Sequence, residues 1–161
     1  MKKLFIIATL LLLSCSSKEA TNFSDKALND TFITLEEKKT TFKDIITKYK
    51  GKKVVIDIWA SWCGDCIKGM PKVVKLQKEY PDVVYLFLSL DKTIPAWKAG
   101  IKKYHVNGEH YFLKSGYEGD FSDFVNIDWI PRYMVIDEEG NLELFKAVEA
   151  DDAKIIESLK K

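Results

Sequence analysis

Cysteine and histidine are scarce in this chain, with three cysteines and two histidines among 161 residues. There is no second C-x-x-C pair, so a zinc site built from two such pairs is excluded, and His105 and His110 lie far downstream of the one pair present. Long apolar runs are also missing: the longest, Leu4 to Leu13, is half of the roughly 20 residues a spanning helix needs. Neither sign of charge dominates, at 25 basic against 24 acidic groups. Losing Lys2 and Lys3 with a leader leaves 23 against 24, a formal charge of −1, which offers no basic field for nucleic acid. No internal repeat is visible, which excludes solenoid architectures.

What is present begins with a leader. Lys2-Lys3, the apolar run and the small residue Ser14 make residues 1–14 a secretory signal. Leu12-Leu13-Ser14-Cys15 resembles a bacterial lipobox, which implies that Cys15 is lipidated and becomes the mature N-terminus; an ordinary signal followed by an incidental free cysteine is the alternative. With Cys15 in the anchor, an even pair of thiols remains. Residues 15–30 are polar and lack sustained periodicity, so they read as a flexible tether. Residues 31–161 suffice for one domain with one core.

Within that domain, Thr31 to Leu35 reads as an entry strand, and Thr41 as the cap of a helix with Phe42, Ile45, Ile46 and Tyr49 on one face. Lys53 to Ala60 is apolar on both faces, the signature of a central strand covered on both sides. A helix follows from about Gly64 to Tyr80, with a kink expected at Pro71. Val83 to Leu90 is a second two-sided strand, and Thr93 with Pro95 opens another helix. Asn107 to Ser115 reads as loop or short extended chain, and Glu118 to Val125 as a short helix. Arg132 to Asp137 and Asn141 to Lys146 form a hairpin around Glu138-Glu139-Gly140, before a terminal helix from Asp151 to Lys160. This order predicts an α/β three-layer sandwich: a central mixed sheet with parallel strands and a C-terminal β-hairpin, with helices on both faces.

Chemistry concentrates in Trp62-Cys63-Gly64-Asp65-Cys66, where the central strand gives way to the helix. A thiol opening a helix meets unpaired backbone N–H groups and the positive end of the helix dipole, both of which favour thiolate. Cys63 is therefore the candidate nucleophile. Half of a zinc site and a purely structural disulfide share this spacing and remain alternatives. Asp57 lies within an apolar strand, where a carboxylate is costly to bury, unless it is a strand-end group reaching solvent.

Val54-Val55-Ile56-Asp57-Ile58-Trp59-Ala60-Ser61-Trp62-Cys63-Gly64-Asp65-Cys66, with Pro71 beyond it, closely resembles the active-site segment of thioredoxins. Ile130-Pro131-Arg132-Tyr133-Met134-Val135-Ile136-Asp137 resembles their second hallmark, in which a cis-proline precedes the hairpin. The longer middle and the leader resemble the extracytoplasmic TlpA/ResA-like branch. The resemblance implies a redox-active Cys63–Cys66 disulfide: Cys63 attacks a substrate disulfide, Cys66 resolves the mixed disulfide, and Asp57 accepts the Cys66 proton. It further implies that Ile130-Pro131 is cis and presents its backbone to a client, with Trp62 offering a flat contact; Trp59 is either a second shield or core. The aromatic middle, Trp97, Tyr104, His105, His110, Tyr111, Phe112, Tyr117, Phe121 and Phe124, lines a substrate groove or forms core.

Three departures from the family stand out. Asp65 between the cysteines opposes thiolate formation, Gly69 stands where some members of the branch carry glutamate, and Phe87 replaces a lysine that often neighbours the buried aspartate. Proton handling then falls mainly on Asp57. The expected function is protein-disulfide oxidoreduction in the bacterial cell envelope, in the reducing direction, by a monomer lipid-anchored at Cys15 and facing the periplasm, with no cofactor and no metal. Its partners would be disulfide-containing envelope proteins, apocytochromes c among them, and an upstream membrane thiol-reductant donor. A non-catalytic thioredoxin-fold binding module and a thiol peroxidase are the alternatives.

Overall fold

The computed structural model describes residues 20–161; the leader and Cys15 lie outside them. Chain order is α1 (Asp25–Asn29), β1 (Thr31–Ile33), β2 (Lys39–Thr41), α2 (Phe42–Lys48), β3 (Val54–Trp59), α3 (Gly64–Glu79), β4 (Val84–Ser89), α4 (Ile94–Tyr104), β5 (Glu109–Leu113), a 3-10 turn (Gly116–Glu118), α5 (Asp120–Val125), β6 (Arg132–Ile136), β7 (Leu142–Ala147) and α6 (Ala153–Lys160). The seven strands form one sheet in the order β2-β1-β5-β4-β3-β6-β7. Strands β3, β4 and β5 are parallel to one another, while β6 and β7 run antiparallel beyond β3. Every residue of β3 is buried, so helices must cover both faces of the sheet there.

The helix starts follow the capping chemistry of the sequence. Thr41 and Thr93 accept hydrogen bonds from the N–H groups of Asp44 and Ala96, and Pro95 occupies the first turn of α4, where its missing N–H costs nothing. Helix α3 runs through Pro71 as a single helix from Gly64 to Glu79, so the proline does not divide it.

One open reading is resolved, in favour of extended chain, and one expectation needs correction. Asn107 to Ser115 contains a full strand, β5, which pairs parallel with β4 and antiparallel with β1. Its register had no alternation to announce it, because four of its five residues, His110 to Leu113, are buried. The polar segment before Thr31 is not a tether as far as Asp30: it contains α1, whose Ala27 is fully buried. Phe23 enters an aromatic cluster 4.7 Å from Phe42 and 5.4 Å from Phe124, and Phe42 lies 4.6 Å from Phe121. The Thr21 carbonyl accepts from Leu142 N–H at 2.9 Å. Asp30 accepts from Phe121 N–H at 3.0 Å and from the Ser115 hydroxyl at 2.9 Å, satisfying a first-turn donor of α5 that the helix's own Gly119 cannot cap.

Phe23→Ala should therefore lower the free energy of unfolding by about 3 kcal/mol, the low end for a buried phenylalanine, read as a shift in urea midpoint at unchanged slope. A change within the roughly 0.5 kcal/mol of an ordinary surface substitution would restore the segment to a tether.

Candidate active site

Strand β3 delivers the chain to Ala60-Ser61-Trp62, and α3 begins immediately after Cys63. This loop is held from two sides. The buried carboxylate of Asp91, just beyond β4, accepts from Ser61 N–H at 3.0 Å, from the Ser61 hydroxyl at 2.6 Å and from the Ser89 hydroxyl at 2.9 Å. On the other side Gly100 of α4 packs so closely that a Cβ there would lie 2.4 Å from Ser61 Cβ. Neither Asp91 nor Gly100 is marked by any local motif, because both act through contacts distant in sequence.

Cys63 is the N-cap of α3, and its Sγ accepts from Cys66 N–H at 3.1 Å. The two cysteines are joined by a disulfide with Cα atoms 5.3 Å apart. Cys63 is 6% exposed and Cys66 1%, so an incoming sulfur can approach only the first. In the reduced state the same N–H and the helix N-terminus stabilise negative charge on Cys63. Asp65 opposes this less than its position suggests, since it is half exposed and Lys68 lies 3.3 Å away.

The Ile130-Pro131 peptide is cis, and the Ile130 carbonyl lies 3.6 Å from Cys63 Sγ. Arg132 fixes this loop from below. Its guanidinium is completely buried and donates to the carbonyls of Val125 at 2.7 Å and Asn126 at 3.2 Å, and to Asp128 at 2.5 Å. A buried cation is tolerable only with such partners, and here they tie the end of α5 to the residue after Pro131.

Around Cys63 the surface is aromatic. Trp62, Trp129 and Tyr117 are 54%, 61% and 45% exposed and line a cleft of about 290 Å³ with Cys63, Gly64, Asp65, Asp128 and Ile130. Trp129 was not singled out in the sequence, although it sits two residues before Pro131. The aromatic middle divides: Trp97 and Phe121 are core, and Tyr117 reaches the cleft. Trp59 is fully buried edge-on to Phe87 and belongs to the core. His105 ends α4, and His110 Nε2 meets the Val106 carbonyl at 3.0 Å; neither lines the cleft around Cys63.

Asp57 lies at the centre of β3, opposite Phe87 of β4 and Tyr133 of β6. It is buried rather than at a strand end, and neither carboxylate oxygen has a hydrogen-bond partner among the described residues. Burial pushes its pKa up to about 8, opposed by Tyr133, whose hydroxyl comes near without making a formed hydrogen bond. Such a group is protonated near neutrality yet able to ionise.

The same shift makes stability depend on pH. Unfolded, Asp57 ionises near 3.9; folded, it holds its proton to about 8. Between those values the native state binds the extra proton, so this residue's contribution weakens by at most about 1.4 kcal/mol per pH unit as pH rises. Asp57→Asn should thus gain stability over the wild type progressively from pH 5 to pH 8 in urea unfolding of the oxidised protein. An offset independent of pH would show that Asp57 is not held protonated.

Comparison with known proteins agrees with this geometry. The Redoxin family model matches residues 17–158. The chain is 32% identical to the thioredoxin-like protein YneN of Bacillus subtilis over 114 residues, covering 68% of this chain and 62% of YneN. It is 29% identical to the thiol-disulfide oxidoreductase ResA of Bacillus cereus over 129 residues, 79% of this chain and 70% of ResA. Among solved structures, one described as a thiol-disulfide oxidoreductase from Bacteroides vulgatus superposes with a TM-score of 0.69 at 27% identity, covering 85% of this chain and 88% of that one. With the family match spanning nearly the whole domain and the paired cysteines at the head of α3, the chain belongs to the Redoxin family, on its thioredoxin-like thiol-disulfide oxidoreductase side.

Proposed function

We propose that this protein is a thiol-disulfide oxidoreductase of the bacterial cell envelope, lipid-anchored through Cys15 and facing the periplasm, which reduces disulfides in other proteins. The observation that carries the reading is the position of Cys63 Sγ: at a helix N-terminus, on the floor of an aromatic cleft and 3.6 Å from the Ile130 carbonyl beside a cis-proline. Reduced Cys63 attacks one sulfur of a client disulfide; a Cys63–client bond forms and the client's other sulfur leaves with the electron pair. Cys66, having given its proton to Asp57, then attacks Cys63 Sγ. The Cys63–Cys66 bond closes, the client thiolate departs and takes a proton from water, and two electrons have passed to the client.

The reacting sulfurs store those electrons, so the exchange needs no organic cofactor. The Ile130 backbone at the cleft wall would give an extended client segment a partner for main-chain hydrogen bonds, while Trp62, Tyr117 and Trp129 provide apolar contact without demanding a sequence. Clients are disulfide-containing envelope proteins, with apocytochromes c a reasonable class, and a membrane thiol-reductant donor restores the dithiol. The lipobox-like Leu12-Leu13-Ser14-Cys15 supports the anchor.

Cys66→Ala should accumulate mixed disulfides with envelope proteins, visible as adducts on non-reducing gels, and Cys63→Ala should accumulate few. Equal trapping by both variants would remove Cys63 as the nucleophile. Labelling cells with a radioactive fatty acid should mark the wild type and leave Cys15→Ala unlabelled and soluble. Membrane association of Cys15→Ala would sink the lipid anchor.

A further inference from the structure

Asp57 must lose a proton to water in each cycle, yet it is sealed from solvent. Phe87 is its neighbour on the β4 side. On the β6 side stands Tyr133, directly opposite in the antiparallel register and therefore on the same face. Its hydroxyl is also buried without a hydrogen-bond partner among the described residues. Three neighbouring polar oxygens left unpaired would each cost about 1 to 3 kcal/mol if nothing served them. An unsatisfied buried group in a native fold calls for a role.

Tyr133 also borders a cavity. This space of about 310 Å³ adjoins the aromatic cleft, with which it shares Asp65, Asp128 and Trp129, and is lined further by Gly69, Pro131 and Tyr133, with Lys146 and Glu149 among its polar walls. Only Gly69 of α3, with no side chain, stands between the buried hydroxyl and this cavity: a Cβ there would lie 3.5 Å from Tyr133 Oη, and a longer side chain would thicken the barrier. Around the mouth, Lys72 of α3 binds Glu149 at 2.6 Å and Asp151 at 3.0 Å, and Lys146 of β7 binds Asp128 at 3.2 Å. Burial and the nearby carboxylates of Asp57, Glu149 and Asp151 raise the phenol pKa, so the hydroxyl keeps its proton and acts as a shuttle rather than as an anion.

We propose that Tyr133 is a proton relay, joining the buried Asp57 carboxyl to water in the cavity beside Gly69. Asp57 passes its proton to Tyr133 Oη as the Tyr133 proton moves to a cavity water; the phenol is regenerated, Asp57 becomes a carboxylate, and hydronium leaves through the mouth. The carboxylate then takes the Cys66 proton, and the Cys66 thiolate attacks Cys63 as above. This inference rests on the proposed exchange reaction.

The test uses reduced protein and 5,5′-dithiobis(2-nitrobenzoate), in stopped flow from pH 6 to pH 9. Attack by Cys63 releases the first thionitrobenzoate, and resolution by Cys66 the second. In the wild type the second release should be a single phase at each pH. In Tyr133→Phe it should match the wild type at pH 9, where Asp57 is already ionised. At lower pH it should split into a fast phase, shrinking to about a tenth of the amplitude one unit below the Asp57 pKa, and a phase slowed at least about tenfold. Gly69→Leu, which keeps the hydroxyl and closes the cavity, should reproduce the split. Wild-type kinetics in both variants would overturn the relay, as would slowing by one factor at every pH, which marks a merely structural role. Failure of the wild type to release a second equivalent would instead overturn the exchange reaction itself, and the relay with it.

Discussion

The antiparallel pairing of β3 with β6 is the constraint on which the site depends. Its register sets Val54 opposite Ile136 and Ile58 opposite Arg132, so the chain entering β6 must cross just beyond the point where β3 gives way to the helix. That places the Ile130 carbonyl against Cys63 without any direct bond between the two segments in sequence. The same register sets Tyr133 beside Asp57. A slip of one residue would turn every side chain of β6 to the opposite face, burying neither Tyr133 nor the core residues as they stand and moving Pro131 off the dithiol.

Arg132 and Asp91 do for the two loops what the register does for the strands. Each is a buried charged group with several partners, and each grips backbone: Arg132 the end of α5, Asp91 the loop before Trp62. Removing one partner from such a group leaves a charge in a low dielectric, which is costly. Both loops are thereby held in one arrangement, so Cys63 and the Ile130 backbone keep their separation.

Much of this was legible in the sequence. The two-sided apolar runs of β3 and β4, the capping threonines and the glycine-centred hairpin are local signals, and they identify local structure. The dithiol and Pro131 were legible because their chemistry is carried by adjacent residues. Strand β5 and helix α1 were not, for different reasons: β5 is buried through contacts with β1 and β4 that lie far away in sequence, and α1 is a five-residue helix too short to show a period. Phe23 and Leu28 were the available signals in that polar stretch, large apolar side chains that a solvated tether has no reason to carry. Trp129 and Tyr117 were hidden by ambiguity of another kind, since an aromatic residue reads alike whether it lines a cleft or fills a core.

The two thiols differ by only three positions, yet the fold gives them opposite surroundings. Cys63 lines the aromatic cleft at the N-cap of α3, where permanently placed dipoles favour negative charge on sulfur, and lies beside the Ile130 carbonyl. Cys66 lies within the first turn of α3 with almost no exposure. The carboxyl of Asp57 sits in the apolar centre of β3 at a cost to stability. The proposed exchange gives that burial a use: a base inside the fold, its pKa raised toward neutrality by desolvation, would take the proton of a sulfur that no exposed base could reach.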